Sequence, residues 1–234
     1  TLYSLLTQLS LESESVVTIE DPIEYDLKNI TQIPVNEKIG FTFGSALRSI
    51  LRQDPDVIMV GEVRDSDTAQ IATKAALTGH LVLSSIHTND TIATISRLRD
   101  LGIEPYLISS ALNAILAQRL VKKICENCRI EYDIPPYLFE NYPYLKNLNI
   151  KTSYKGKGCE ACGFTGYKGR IGIFEFLRVN SSMRKAIPDY TSDQELCNMA
   201  RENGMKTLIE DACEKIESGI TTIEEVLTKI HYYD

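Results

Sequence analysis

Glu62 follows four consecutive apolar residues, Val57-Ile58-Met59-Val60, and a glycine, which places it just beyond the carboxyl end of a short strand buried on both faces. In an open parallel sheet that edge is where ligands bind, and a carboxylate there can orient a water or reach a metal-bound phosphate. A surface loop in which Glu62, Arg64 and Asp65 make ordinary ion pairs is the competing reading. The arrangement recurs twice, because Glu20, Asp21 and Glu24 follow Val16-Val17-Thr18-Ile19, and His87 follows the apolar run 81–86. Glu, Glu and His at three successive carboxyl ends is the layout of a site that handles phosphate with a metal ion or water. His80 instead precedes the third run, where a satisfied structural histidine is equally consistent. Arg48 and Arg52, four apart on a helical pattern, form either a solvated face or a pair of anion fingers across a subunit boundary.

The cysteines suggest a second kind of chemistry. Cys125-x-x-Cys128 and Cys159-x-x-Cys162 are two knuckles, each able to place two thiolates about 4 Å apart on a tetrahedral ion. Four sulfurs close the coordination shell, so the predicted site is structural Zn²⁺, with a redox pair or unmetallated thiols as the alternatives. Gly158, Gly163 and Gly166 supply the tight turns around the second knuckle.

These groups need elements to hold them. Leu2, Leu5, Leu6 and Leu9 make one apolar face of a helix that has no capping residue before it, so the sequence is expected to be cut from a longer one. Helical patterns also cover 43–51, stopped by Pro55, then 68–77 and 90–101, the last ended by Gly102. Strand, helix, strand with short connections gives parallel pairing by crossovers, so Glu20, Glu62 and His87 are predicted to line one sheet edge. An apolar helix is predicted over 106–120. From Ser181 the chain reads as helical. Ser192-x-x-Glu195 opens a helix that Gly204 closes, 208–216 forms another ended by Gly219, and Thr222-x-x-Glu225 opens the last, with Ile223, Val226, Leu227 and Ile230 on one face. Cys197 and Cys213 read as buried apolar thiols on those helices, and His231 has no partner that can be named.

The net charge of −7 is uneven. Residues 1–110 carry 8 basic and 15 acidic groups, 111–178 carry 11 and 6, and 179–234 carry 6 and 11, which argues for three segments and against a nucleic-acid-coating surface. The basic cluster Lys151, Lys155, Lys157, Lys168 and Arg170 reads as a solvated face or a docking surface for an acidic partner. No apolar run approaches the roughly 18 residues of a membrane span, and no leader opens the chain, so a cytoplasmic location is expected.

Three ordered motifs carry a family resemblance. Thr18-Ile-Glu-Asp-Pro-Ile-Glu-Tyr25, the run from Leu47 through Asp65, and Thr78-Gly-His-Leu-Val-Leu-Ser-Ser-Ile-His-Thr-Asn-Asp90 resemble the acidic box, Walker B and histidine box of type II secretion and type IV pilus assembly ATPases. The resemblance implies an α/β, RecA-like parallel-sheet core and a hexameric ring that hydrolyses MgATP. It implies Glu62 as the carboxylate that activates water and supports Mg²⁺, Glu20, Asp21 and Glu24 as the acidic box, and His80 and His87 as the histidine box. It gives Arg48, Arg52 and Arg64 as arginines at the nucleotide or subunit interface. The tetracysteine motif resembles that of assembly and secretion motors rather than retraction motors. An inner-membrane platform protein is the implied partner, with peripheral membrane association through partners and no nucleic acid expected. The family's phosphate loop, G-x-x-x-x-G-K-[ST], is absent from these residues, so the fragment is expected to be inactive although its parent should bind and hydrolyse ATP. The domain expectation is 1–118 for the rest of the ATPase core, 119–178 for the tetracysteine module and 179–234 for a helical subdomain. The alternatives are a zinc-bearing nucleic-acid-binding module without catalysis and the motor of a DNA-uptake pilus.

Overall fold

The computed structural model describes residues 1–10, 14–143, 145, 150, 152–189 and 192–230; Lys151 and His231 lie outside them. The chain forms two compact units, one of residues 1–115 with 179–199, the other of 116–178 with 200–234.

The first unit is α/β. In chain order it contains α1 (Leu2–Leu9), β1 (Val16–Glu20), β2 (Thr31–Pro34), α2 (Phe43–Ile50), β3 (Val57–Val60), α3 (Ser66–Leu77), β4 (Leu81–Ser84), α4 (Thr91–Asp100) and α5 (Pro105–Ala111). The sheet runs β2-β1-β3-β4, every pair parallel, with Ile19 opposite Val60 and Val60 opposite Ser84. All residues of β1 and β3 are buried, Thr18 and Glu20 of β1 included, and the wholly apolar run of β3 suits a strand with helices on both faces. Leu6 of α1 clusters with Val16, Val57 and Met59, so by strand alternation Ile19, Ile58 and Val60 point to the other face, where α2 packs on β1 and on α3. Deleting the fully buried Leu6 side chain should cost about 2–5 kcal/mol.

Strand β2 was not predicted. Its sequence, Thr-Gln-Ile-Pro, is too short and polar to carry a strand signature, and it forms because its backbone pairs with β1. Thr42 caps α2, Asp65 caps α3 and Asp90 caps α4, each through a side-chain oxygen on the third amide of the helix. Helix α2 ends at Ile50, which leaves Arg52 in the turn beyond the helix that carries Arg48.

The helix predicted over 106–120 is a correction. Only α5 is helical, and residues Ala114–Ile124 form the long strand β5. A run such as Ala-Ile-Leu-Ala fits either period, and here pairing with a distant strand, β8 (Tyr167–Arg178), decides it. Beyond β8 the chain returns to the first unit as α7 (Ser181–Ala186). There Arg184 donates to the Ser109 carbonyl and to Asn113 Oδ1 at 2.9 Å.

In the second unit β6 (Arg129–Glu131) pairs antiparallel with β7 (Tyr154–Gly156), and the cysteine knuckles flank them. α6 (Pro136–Asn141) lies between these strands in sequence, α8 (Asp193–Glu202) spans the unit boundary, and α9 (Leu208–Glu217) and α10 (Ile223–Leu227) follow. One apolar cluster joins Val121 and Ile173 of the β5–β8 ribbon to Leu208, Ala212, Ile216, Ile223, Val226 and Ile230. The partition therefore differs from the charge-based segments. Residues 200–230 share a core with the cysteine module because their apolar faces meet the ribbon, while residues 179–189 and 192–199 belong with the sheet. The predicted helix starts at Ser192 and Thr222 each place a hydroxyl on the amide three residues on, 3.3 Å at Glu195 and 3.2 Å at Glu225. Cys197 and Cys213 are half-buried rather than buried. Burial, with Glu217, Glu210 and Glu214 nearby, pushes the Cys213 thiol up to about 11.

Candidate functional site

The loop after β3 is pinned to the end of β4. Ser85 Oγ donates to the Gly61 carbonyl at 2.6 Å, and the Val63 amide donates to the Ser85 carbonyl at 2.9 Å. Glycine at 61 suits a close approach rather than a turn, since a Cβ there would lie a tight 3.1 Å from the Ile19 carbonyl oxygen and 3.5 Å from Glu20 Cα. The close approach lays the start of the Glu62 loop against the end of β1.

The Glu62 side chain is only 12% exposed, and Arg64 and His87 both meet the same one of its oxygens. Arg64 Nε lies 2.6 Å and His87 Nε2 3.3 Å from Oε2. Both partners lie on Oε2 rather than on Oε1. Glu62 and His87 thus meet at one rim of the sheet, as their places after two parallel strands predict.

Glu20 sits at the same carboxyl edge but in a different state. It is buried, and its two oxygens receive three donors: the Tyr3 hydroxyl on Oε2, and Thr18 Oγ1 at 2.5 Å and Gln32 Nε2 at 3.0 Å on Oε1. Asp21 and Glu24 in the turn that follows are exposed. Sequence reasoning missed Tyr3 and Gln32. The available signal was a tyrosine at the third position of a leucine-rich helix, one turn before Leu6, where a polar tip can reach an adjacent strand end.

His80 is not brought to this rim. It precedes β4, at the amino edge of the sheet, and its Nδ1 lies 3.0 Å from the Ala75 carbonyl and 3.3 Å from Thr78 Oγ1 at the end of α3. Arg48, half-exposed, pairs with Asp67, while Arg52 is exposed in the turn after α2.

The four cysteines of the second unit converge. Cys125 and Cys159 sulfurs are 3.8 Å apart, Cys159 and Cys162 3.8 Å, and Cys128 and Cys162 4.0 Å, and all four lie within 4.8 Å of one another. Thiolates about 2.3 Å from a zinc ion in a tetrahedron are about 3.8 Å apart, so the spacing fits zinc and is far beyond a disulfide bond. Gly166 allows the wrap: at φ +77° its residue lies against Gly156, where a Cβ would meet backbone at 2.7 Å, and its carbonyl accepts the Cys125 amide at 2.9 Å. Lys155 stands over the Tyr132 ring at 4.8 Å, which makes part of the predicted basic cluster a packed cation–π contact.

Residues 1–228 match the family model described as "Type II/IV secretion system protein". The type IV pilus assembly ATPase PilB of Thermus thermophilus is 49% identical over 231 residues, 98% of this chain and 26% of that protein. The type II secretion system protein HxcR of Pseudomonas aeruginosa is 45% identical over 227 residues, 97% of this chain and 45% of that protein. The chain therefore spans less than half the length of these relatives. Among solved structures, the pilus retraction motor PilT with bound ADP superposes with a TM-score of 0.71 at 29% identity, covering 97% of this chain and 56% of that one.

Proposed function

The chain belongs to the type II/IV secretion system protein family, and from that premise we propose that it is part of the catalytic machinery of an ATP-hydrolysing motor. The observation that carries the reading is the Glu62 carboxylate, held on one oxygen by Arg64 and His87 at the carboxyl rim of the sheet with the other oxygen left for a water. In this proposal Glu62 Oε1 accepts the proton of the water that attacks the terminal phosphate of ATP. His87 and Arg64 fix the carboxylate's orientation, and the exposed carboxylates of Asp21 and Glu24 would hold Mg²⁺. The ion, when bound with nucleotide, supplies charge neutralisation at the phosphates. Arg48, now paired with Asp67, and Arg52 are assigned to the subunit or nucleotide interface. His80 joins this set only as a support of the α3–β4 turn.

The relatives divide between pilus assembly and type II secretion at nearly equal identity, so the proposed task covers both, in a homo-hexameric ring acting on an inner-membrane platform protein from the cytoplasm. Among the described residues no helix is long and apolar enough to cross a membrane, which is compatible with membrane association through partners. Cys125, Cys128, Cys159 and Cys162 would hold Zn²⁺ with no open coordination position, a bracing role rather than a catalytic one. The fragment spanned by these residues is proposed to be inactive alone, since no phosphate loop of the G-x-x-x-x-G-K-[ST] type occurs in it.

The test is Glu62→Gln in the intact natural protein. Phosphate release should fall by roughly 10²-fold or more while ATP binding, read by a fluorescent nucleotide, is retained. Turnover close to wild type would remove Glu62 from this role.

A further inference from the structure

We infer that Tyr3 is a positioning residue: its hydroxyl locks the acidic turn after β1 to helix α1 and so aims Glu24 at the rim that carries Glu62. The inference rests on the motor reading above and assigns a role to a residue outside the acidic, Walker B and histidine motifs.

The Tyr3 hydroxyl is a hub. It donates to Glu20 Oε2, accepts the Glu24 amide at 3.2 Å, and lies 3.4 Å from Gln32 Nε2. Its ring packs edge-on against Tyr25 with centroids 4.6 Å apart. Gln32 closes the circuit, donating to Glu20 Oε1 at 3.0 Å and to the Tyr25 carbonyl at 3.3 Å, with the Leu27 amide on its own Oε1 at 2.7 Å. The stretch from Glu20 to Leu27 is therefore held at the Glu20 carboxylate and at the backbone of Glu24, Tyr25 and Leu27 by two side chains, one on α1 and one on β2.

The two acids of this stretch consequently have different work. Glu20 is buried with three donors on its oxygens, which anchor its carboxylate in place; it is the fixed end of the lock. Glu24 is exposed and has its backbone, rather than its carboxylate, in the network, which leaves the carboxylate to face a metal ion or water. Burial and the Glu20 carboxylate raise the Tyr3 phenol above its ordinary value, so it remains a donor at neutral pH. Because α1 supplies the hydroxyl, a shift of that helix would be transmitted to the position of Glu24.

Tyr3→Phe keeps the ring and its packing while removing the hydroxyl. In the intact natural protein, amide hydrogen exchange at Glu24 should accelerate about 10-fold or more while the amides of β1 and β3 keep their protection. With MgATP, kcat should fall about 10- to 100-fold, as for a misplacement of order 1 Å, with KM for ATP changed less than about threefold. The two losses should not add: in a Glu24→Gln background, Tyr3→Phe should change kcat by less than about twofold. Unchanged exchange at Glu24, or a Tyr3→Phe effect of full size in the Glu24→Gln background, overturns the inference. A wild-type protein without ATP turnover would instead overturn the motor reading, and the exchange measurement still decides the role of Tyr3.

Discussion

At the scale of single residues, identical side-chain types are separated by where the strands end. His87 follows β4 and reaches Glu62, whereas His80 precedes the same strand and spends its ring on the Ala75 carbonyl at the end of α3. His87→Ala should therefore lower turnover by at least about 10-fold with stability changed by less than about 0.5 kcal/mol, because the ring is exposed. His80→Ala should do the reverse, costing about 1 kcal/mol of a buried-edge hydrogen bond in a denaturant melt and leaving kcat within about twofold. Equal effects of the two on kcat would remove the distinction. The approach of Glu62 to His87 was legible in the sequence, because polar residues after consecutive apolar runs must share an edge once the strands are parallel. The buried hydrogen bonds of Glu20 were not, since its donors come from residues 3, 18 and 32, and β2, which carries the last, has no hydrophobic pattern to reveal it.

At the scale of elements, capping signals proved more transferable than apolar runs. Every predicted cap lies where a helix starts, but the run 114–120 became strand because a partner strand 50 residues away completed its ladder, and no local pattern can report a distant partner. The start of α9 shows what a cap does energetically. The Thr207 amide donates to Glu210 Oε2 at 2.9 Å, Thr207 Oγ1 accepts from the Glu210 amide, Arg201 Nη2 donates to Glu210 Oε1 at 2.6 Å, and the buried Glu175 accepts the Leu208 amide at 3.1 Å. Burial works to raise the Glu210 pKa, but the Thr207 amide and the Arg201 guanidinium outweigh it and hold the carboxyl below its ordinary value of 4.5. A depressed carboxyl contributes stability that is present above the unfolded-state pKa and is lost as the pH falls through the folded one. Urea melts from pH 7 to 3 should accordingly show a shallower acid loss in Glu210→Gln than in the wild type, while Thr207→Ala should cost about 1 kcal/mol at pH 7. A steeper acid loss in Glu210→Gln would contradict the assignment of that group.

At the scale of the whole molecule, the charge pattern marked three segments while the packing makes two units, because charge reports the surface and the units are set by which apolar faces meet. Each unit has its own core: Leu6, Val16, Val57 and Met59 in the first, and Val121, Ile173, Leu208 and Ile216 in the second. The tetracysteine cluster lies wholly in the second. Its knuckles are tied to that core through the Ile124 amide on the Ile220 carbonyl, Thr221 Oγ1 on the Lys122 carbonyl, and the Tyr132 hydroxyl on Glu224. Metal removal should act through those ties. A zinc-selective chelator is expected to lower the melting transition by about 5 °C or more and to speed amide exchange in β6, β7, α9 and α10, while β1 and β3 keep their protection. Cys159→Ser should reproduce this and lose most of the bound zinc by elemental analysis, whereas Cys213→Ser, which removes a half-buried thiol outside the cluster, should keep it. Loss of protection spread evenly over both units, or zinc retained by Cys159→Ser, would mean that the four sulfurs do not brace the second unit in the way their spacing implies.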